Sequence, residues 1–77
     1  MAEDETRQGE MKKRDDLSLT IMTARLKAGL TQAELAERMR THRSMVTRWE
    51  TGVNVPTVTT LERIAEVTGR RLVIRLS

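Results

Sequence analysis

The chain has 77 residues, with no cysteine, one tryptophan and no phenylalanine or tyrosine; this limits it to one small domain with a thin aliphatic core, without disulfides or thiolate metal sites. No apolar run approaches the roughly 18 to 20 residues of a membrane span, and the charged first residues do not read as a signal peptide, which suits the cytoplasm. The net charge of +3 is uneven: residues 1–16 carry six acids and four bases, whereas residues 17–77 carry ten bases, nine of them arginine, against five acids.

Residues 1–15 have no apolar periodicity and read as a disordered tail. From Leu17 onward, Leu17, Ile21, Ala24 and Ala28 recur at helical spacing. Asp15, Asp16 and Ser18 are candidate N-caps, and Gly29 is a stop signal, so a first helix is expected over about 17–28. Thr31 with Glu34 three residues on forms a capping box for a second helix. Its buried face is Leu35, Ala36 and Met39, and it ends near Met39, where Arg40-Thr41-His42 breaks the pattern.

A third helix is expected from Arg43 to Thr51, with Val46 and Trp49 inward and Gly52 ending it. Asn54 and Pro56 mark a loop, because proline keeps the preceding residue out of helical space. Thr57 caps a fourth helix with Leu61, Ile64, Ala65 and Thr68 inward, and Gly69 terminates it. In "RRLVIRLS" the period changes: Leu72, Ile74 and Leu76 alternate with Arg71, Val73 and Arg75, a strand pattern. One strand cannot satisfy its own backbone. It would pair antiparallel with the same strand of a second copy, with Leu72, Val73, Ile74 and Leu76 at the dimer contact, or lie on a partner's sheet edge, or fray.

The division is therefore a tail over 1–15, a domain over 16–69 and a dimerisation strand over 70–77. The fold class is all-α: four helices with a C-terminal β-strand pairing across a homodimer. One histidine, no cysteine and no acid pair at catalytic spacing argue against an enzyme. No cofactor or metal is implied.

Functional interest falls on the second and third helices. They are separated by a tight turn, and the third begins with Arg43, Ser44, Thr47 and Arg48 where a core-facing helix would carry apolar residues. Two short helices in this arrangement fit the helix-turn-helix, whose second helix enters the major groove of DNA. The stretch "GLTQAELAERM…SMVTRWETG…TLERIAEVTG" resembles the helix-turn-helix of phage-repressor, Cro and Xre-type regulators over residues 17–69. Leu30, Thr31, Gln32, Leu35, Ala36, Val46, Trp49, Glu50 and Gly52 fall at that family's spacing.

The resemblance implies a compact helical bundle that binds a double-stranded operator as a two-fold dimer, a repressor that regulates transcription. Residue by residue, it implies that Gln32 hydrogen-bonds a phosphate and that Arg43 and Ser44 reach base edges. Thr47 and Arg48 make a further base or phosphate contact. For Arg43 as for Arg48, guanine and phosphate are the alternatives. Thr41 and His42 lie at the same surface, and His42 caps its helix, meets a phosphate or is solvated. The resemblance also implies a buried salt bridge between Arg25 and Glu50. The family's turn usually has glycine where Arg40 stands, often in a left-handed conformation; either an arginine there is strained by roughly 1 kcal/mol or the turn is shaped differently. The strand in place of a fifth helix is similar to that of HigA- or HipB-like antitoxins of type II toxin–antitoxin systems. That likeness implies, as an alternative, a protein that neutralises a partner toxin and represses its own operon.

Overall fold

The computed structural model describes residues 16–76. Four helices follow one another: α1 over 16–27, α2 over Gln32–Met39, α3 over Arg43–Thr51 and α4 over Val58–Val67. The expected tail over 1–15 and the candidate cap Asp15 lie outside the described residues.

Local chemistry explains the boundaries. At the start of α2, the Thr31 hydroxyl accepts from the Glu34 N–H, and the Glu34 carboxylate accepts from the Thr31 N–H. Two amides that the helix leaves unpaired are thereby satisfied. Thr57 caps α4 more simply, accepting from the Thr60 N–H alone. Arg40 stops α2 in the left-handed region at φ 57°, its own N–H turning back to the carbonyls of Ala36 and Glu37. It is the one non-glycine residue with positive φ among the described residues. Gly52 closes α3 at φ 79°, a conformation that favours glycine because a Cβ would crowd the following carbonyl.

The core is aliphatic apart from one ring: Ile21, Leu30, Leu35, Ala36, Met39, Val46, Trp49 and Ile64 are buried together. Leu17, Met45, Leu61 and Val67 pack on its margin. Leu35 and Val46 are sealed completely, one from each helix of the α2–α3 pair. Ala36 is small where the helices approach. This wedge fixes α3 relative to α2, and α4 also packs against α2, bringing Ile64 into the same core. At about 1.5 to 3 kcal/mol for each large side chain, burial in this cluster is what holds the helices together.

Three expectations need correction. Of the expected inward face of α1, Ile21 is buried and Leu17 packs on the core, but Ala28 does not join them. Ser18, Ile21 and Arg25 are its buried positions, Ala24 is half-buried, and Ala28 lies exposed in the turn beyond residue 27. Arg25 adds a buried position beside that stripe, paired with the buried carboxylate of Glu50. Ser18 is not an N-cap either, since α1 is already helical at residue 16 and Ser18 packs near Gly52.

The third concerns the C-terminus: there is no strand among the described residues, and 70–76 run on without ladder partners. A strand exists only as a pair, and the described residues offer no second one. Leu72 is half-buried beside Leu17, Ile21 and Leu61, whereas Val73, Ile74 and Leu76 are 72%, 59% and 95% exposed.

Candidate nucleic-acid interface

The α2–α3 pair divides α3 into two surfaces. Val46, Trp49 and Glu50 face inward and are buried, while Arg43, Ser44, Thr47 and Arg48 are all exposed. The 3.6-residue period makes this division. Residues 46, 49 and 50 fall on one side of the cylinder, and 43, 44, 47 and 48 on the rest of it. His42 precedes the helix, exposed, and makes no capping hydrogen bond with its side chain. Thr41 is half-buried in the turn. Met45 at the margin of the core receives the Asn54 amide on its sulfur at 3.5 Å, and the Asn54 N–H donates to the Arg48 carbonyl. The loop after α3 is thus tied back onto the helix.

Beneath this surface lies a polar network. Arg25 Nε donates to Glu50 Oε2 at 2.7 Å and Arg25 Nη2 to Glu50 Oε1 at 2.9 Å, a two-pronged ion pair between α1 and α3. Arg25 Nη1 donates to the Leu30 carbonyl at 2.9 Å, anchoring the loop between α1 and α2. The Glu50 side chain is 1% exposed and that of Arg25 10%. Hydrogen bonding to Glu50 raises the Arg25 pKa above its ordinary value, against burial, which lowers it. A buried charge pair is tolerable only when its remaining donors and acceptors are matched, and here no buried side-chain nitrogen or oxygen among the described residues lacks a partner.

The network continues outward. Gln32 Nε2 donates to Glu50 Oε1 at 3.1 Å, and Thr47 Oγ1 donates to Gln32 Oε1 at 3.0 Å. The chain of contacts Arg25–Glu50–Gln32–Thr47 thus leads from α1 to the exposed face of α3, through the first residue of α2. Gln32 keeps a second amide N–H beyond the one given to Glu50. Sequence spacing gave no sign that Gln32 and Thr47 touch, since they are 15 residues apart on different helices. Ser18, expected as a cap, is instead buried near Gly52.

Arg43, Ser44, Thr47 and Arg48 share one outer face, and Gln32 stands beside it through its bond to Thr47. Among the described residues, the only ion pair is Arg25–Glu50. Arg43 and Arg48 therefore present guanidinium groups without a carboxylate partner among those residues. Planar donor forks on an exposed helix face match the acceptors of guanine edges and of phosphates.

A family model described as helix-turn-helix matches residues 21–74. No curated protein and no solved structure matches the chain. The matched span runs from the first core residue of α1, Ile21, through the whole α2–α3 unit and α4, and so takes in every element that shapes this face. The family is one of DNA-binding domains and not of enzymes, and no helix among the described residues is long and apolar enough to cross a membrane. The chain belongs to the helix-turn-helix family of DNA-binding transcription regulators, of the Xre, Cro and phage-repressor type.

Proposed function

We propose that this protein is a sequence-specific repressor that binds a palindromic operator as a homodimer and acts by occupying it. The observation that carries the reading is the outer face of α3, with Arg43, Ser44, Thr47 and Arg48 exposed together on a helix whose other side is locked into the core. Arg43 and Ser44 in the first turn reach base edges, Arg48 one turn on adds a base or phosphate contact, and the free N–H of Gln32 meets a phosphate. Thr41 and His42 flank the sugar–phosphate backbone.

Dimerisation is supported by the tail. Val73, Ile74 and Leu76 would cost apolar surface in water if left exposed, and pairing with the same segment of a second copy covers them and satisfies their backbone. A two-fold dimer would set two recognition helices about 34 Å apart, in successive major grooves of one duplex face. The same exposed tail favours one second reading, an antitoxin that uses it to hold a toxin. Finding a toxin-like reading frame directly beside this one would decide for that reading.

The test is a footprint on the DNA upstream of the coding region, with binding measured across a salt series. Protection of a two-fold symmetric site is expected, with affinity falling steeply as salt rises, because each phosphate contact releases counterions. Binding that does not change between low and moderate salt overturns the proposal. Ile74→Asp is expected to yield monomers by sedimentation and to weaken binding to the symmetric site.

A further inference from the structure

We infer that Thr47 presents a hydrogen-bond acceptor to the DNA, and so selects an adenine or a cytosine by its exocyclic amine. The inference rests on the DNA-reading face proposed above and assigns a polarity to one atom of it.

The argument starts in the interior. Glu50, 1% exposed and paired with Arg25, can only accept hydrogen bonds as a carboxylate. The Gln32 group 3.1 Å from Glu50 Oε1 must therefore be its NH2 and not its carbonyl oxygen. That fixes the amide the other way round at its far side, with the Gln32 carbonyl oxygen 3.0 Å from Thr47 Oγ1. A carbonyl has no proton, so this second contact exists only if the threonine hydroxyl donates. The hydroxyl has one proton. Its other neighbour within the protein, the Arg43 carbonyl at 3.2 Å, is likewise an acceptor. Whichever of the two takes the proton, none is left for an outside partner.

What Thr47 keeps on its exposed side is a pair of oxygen lone pairs and a methyl group. A phosphate oxygen, which only accepts, gains nothing from this atom. In the major groove the donors are adenine N6 and cytosine N4, whereas guanine O6 and thymine O4 are acceptors. Thr47 therefore favours an amino base facing it and disfavours a keto base, which would set lone pairs against lone pairs. Arg43, four residues back on the same face, has the opposite character, with donors only. The two side chains together read a donor and an acceptor position on neighbouring bases.

The experiment selects binding sites from a randomised duplex library with the full chain, as wild type, Thr47→Ser and Thr47→Val. Wild type is expected to show, at one position of each half-site, adenine or cytosine over guanine or thymine on one strand. Thr47→Ser keeps that preference. Thr47→Val loses it at that position alone, by about 3- to 10-fold, as fits one hydrogen bond. A second measurement uses wild-type protein only: replacing the adenine there by purine, or the cytosine by 2-pyrimidinone, deletes the amine and weakens binding by the same factor.

The inference is overturned if Thr47→Val leaves every position unchanged. It is also overturned if Thr47→Val weakens all sequences alike, the signature of a phosphate contact, or if deleting the amine has no effect. Failure of wild type to select any sequence overturns the DNA-reading face itself, and the inference with it.

Discussion

Arg25 and Arg43 are the same residue put to opposite uses. Arg25 is buried, and three of its nitrogens are spent on Glu50 and on the Leu30 carbonyl. Arg43 opens α3 in full exposure. The first holds three segments of the chain in register, and the second has nothing within the described protein to hold. The difference teaches how a small domain with a thin core separates stability from recognition. One face of α3 is determined by what lies under it, and the other is left for an external partner.

The comparison breaks most severely at the buried end. Arg25→Ala leaves the Glu50 carboxylate sealed with Gln32 as its remaining side-chain partner, and a loss of about 3 to 5 kcal/mol in unfolding free energy is expected. Urea denaturation followed by the Trp49 signal reads it directly. The double substitution Arg25→Met with Glu50→Leu removes both charges, so it is expected to be less destabilised than either single change. If the double variant is the worst of the three, the pair contributes net stability and the stranded charge is not the dominant cost.

Arg43→Ala sharpens the other end. Unfolding free energy is expected to stay within about 0.5 kcal/mol of wild type, because the side chain supports nothing. Discrimination at one base pair of each half-site should fall by about 1 to 3 kcal/mol if the guanidinium meets a guanine. Binding titrations on the selected operator and on single-base variants measure both the affinity and its sequence dependence. An unchanged preferred sequence would reassign Arg43 to a phosphate.

Much of this organisation was legible in the sequence because it depends on local rules. Thr31 and Glu34 announce the start of α2, Thr57 that of α4, and the spacing of Val46 and Trp49 marks the inward side of α3. What was not legible depends on contacts across the chain. The pairing of Arg25 with Glu50, 25 residues on, is implied by the family resemblance, and no periodicity count on α1 alone reveals it. The Gln32–Thr47 bond was hidden for the same reason. The tail shows the converse: the alternation of Leu72, Ile74 and Leu76 is a sound strand pattern, yet the described residues supply no edge for it to join.

Arg40 occupies a middle case, exposed like Arg43 yet structurally constrained like Arg25. Its left-handed backbone at φ 57° costs an L-residue about 1 to 2 kcal/mol, part of which glycine recovers before its own greater freedom in the unfolded chain is counted. Arg40→Gly is therefore expected to stabilise the fold by about 0.5 to 1 kcal/mol in the same denaturation assay. A loss of stability would mean that the arginine side chain contributes more at the turn than its backbone strain costs.

The smallest effect tests whether an exposed charge can serve the fold at all. Glu34 is fully exposed, yet the Thr31 backbone N–H, and then the Thr31 side chain, hold its pKa below the ordinary carboxylate value. A carboxyl with a depressed pKa in the folded state binds its proton less readily than in the unfolded chain. Its contribution is therefore complete above the unfolded value of about 4.5 and fades as pH falls through the lower, folded value. Glu34→Gln keeps an oxygen to accept from the Thr31 N–H but carries no titrating proton. Its unfolding curve is expected to lie slightly below wild type at neutral pH, with the gap closing in acid. A gap that stays constant from neutral pH to pH 3 would show that the Glu34 charge adds nothing to the capping box, and that among these charged groups only burial couples charge to stability.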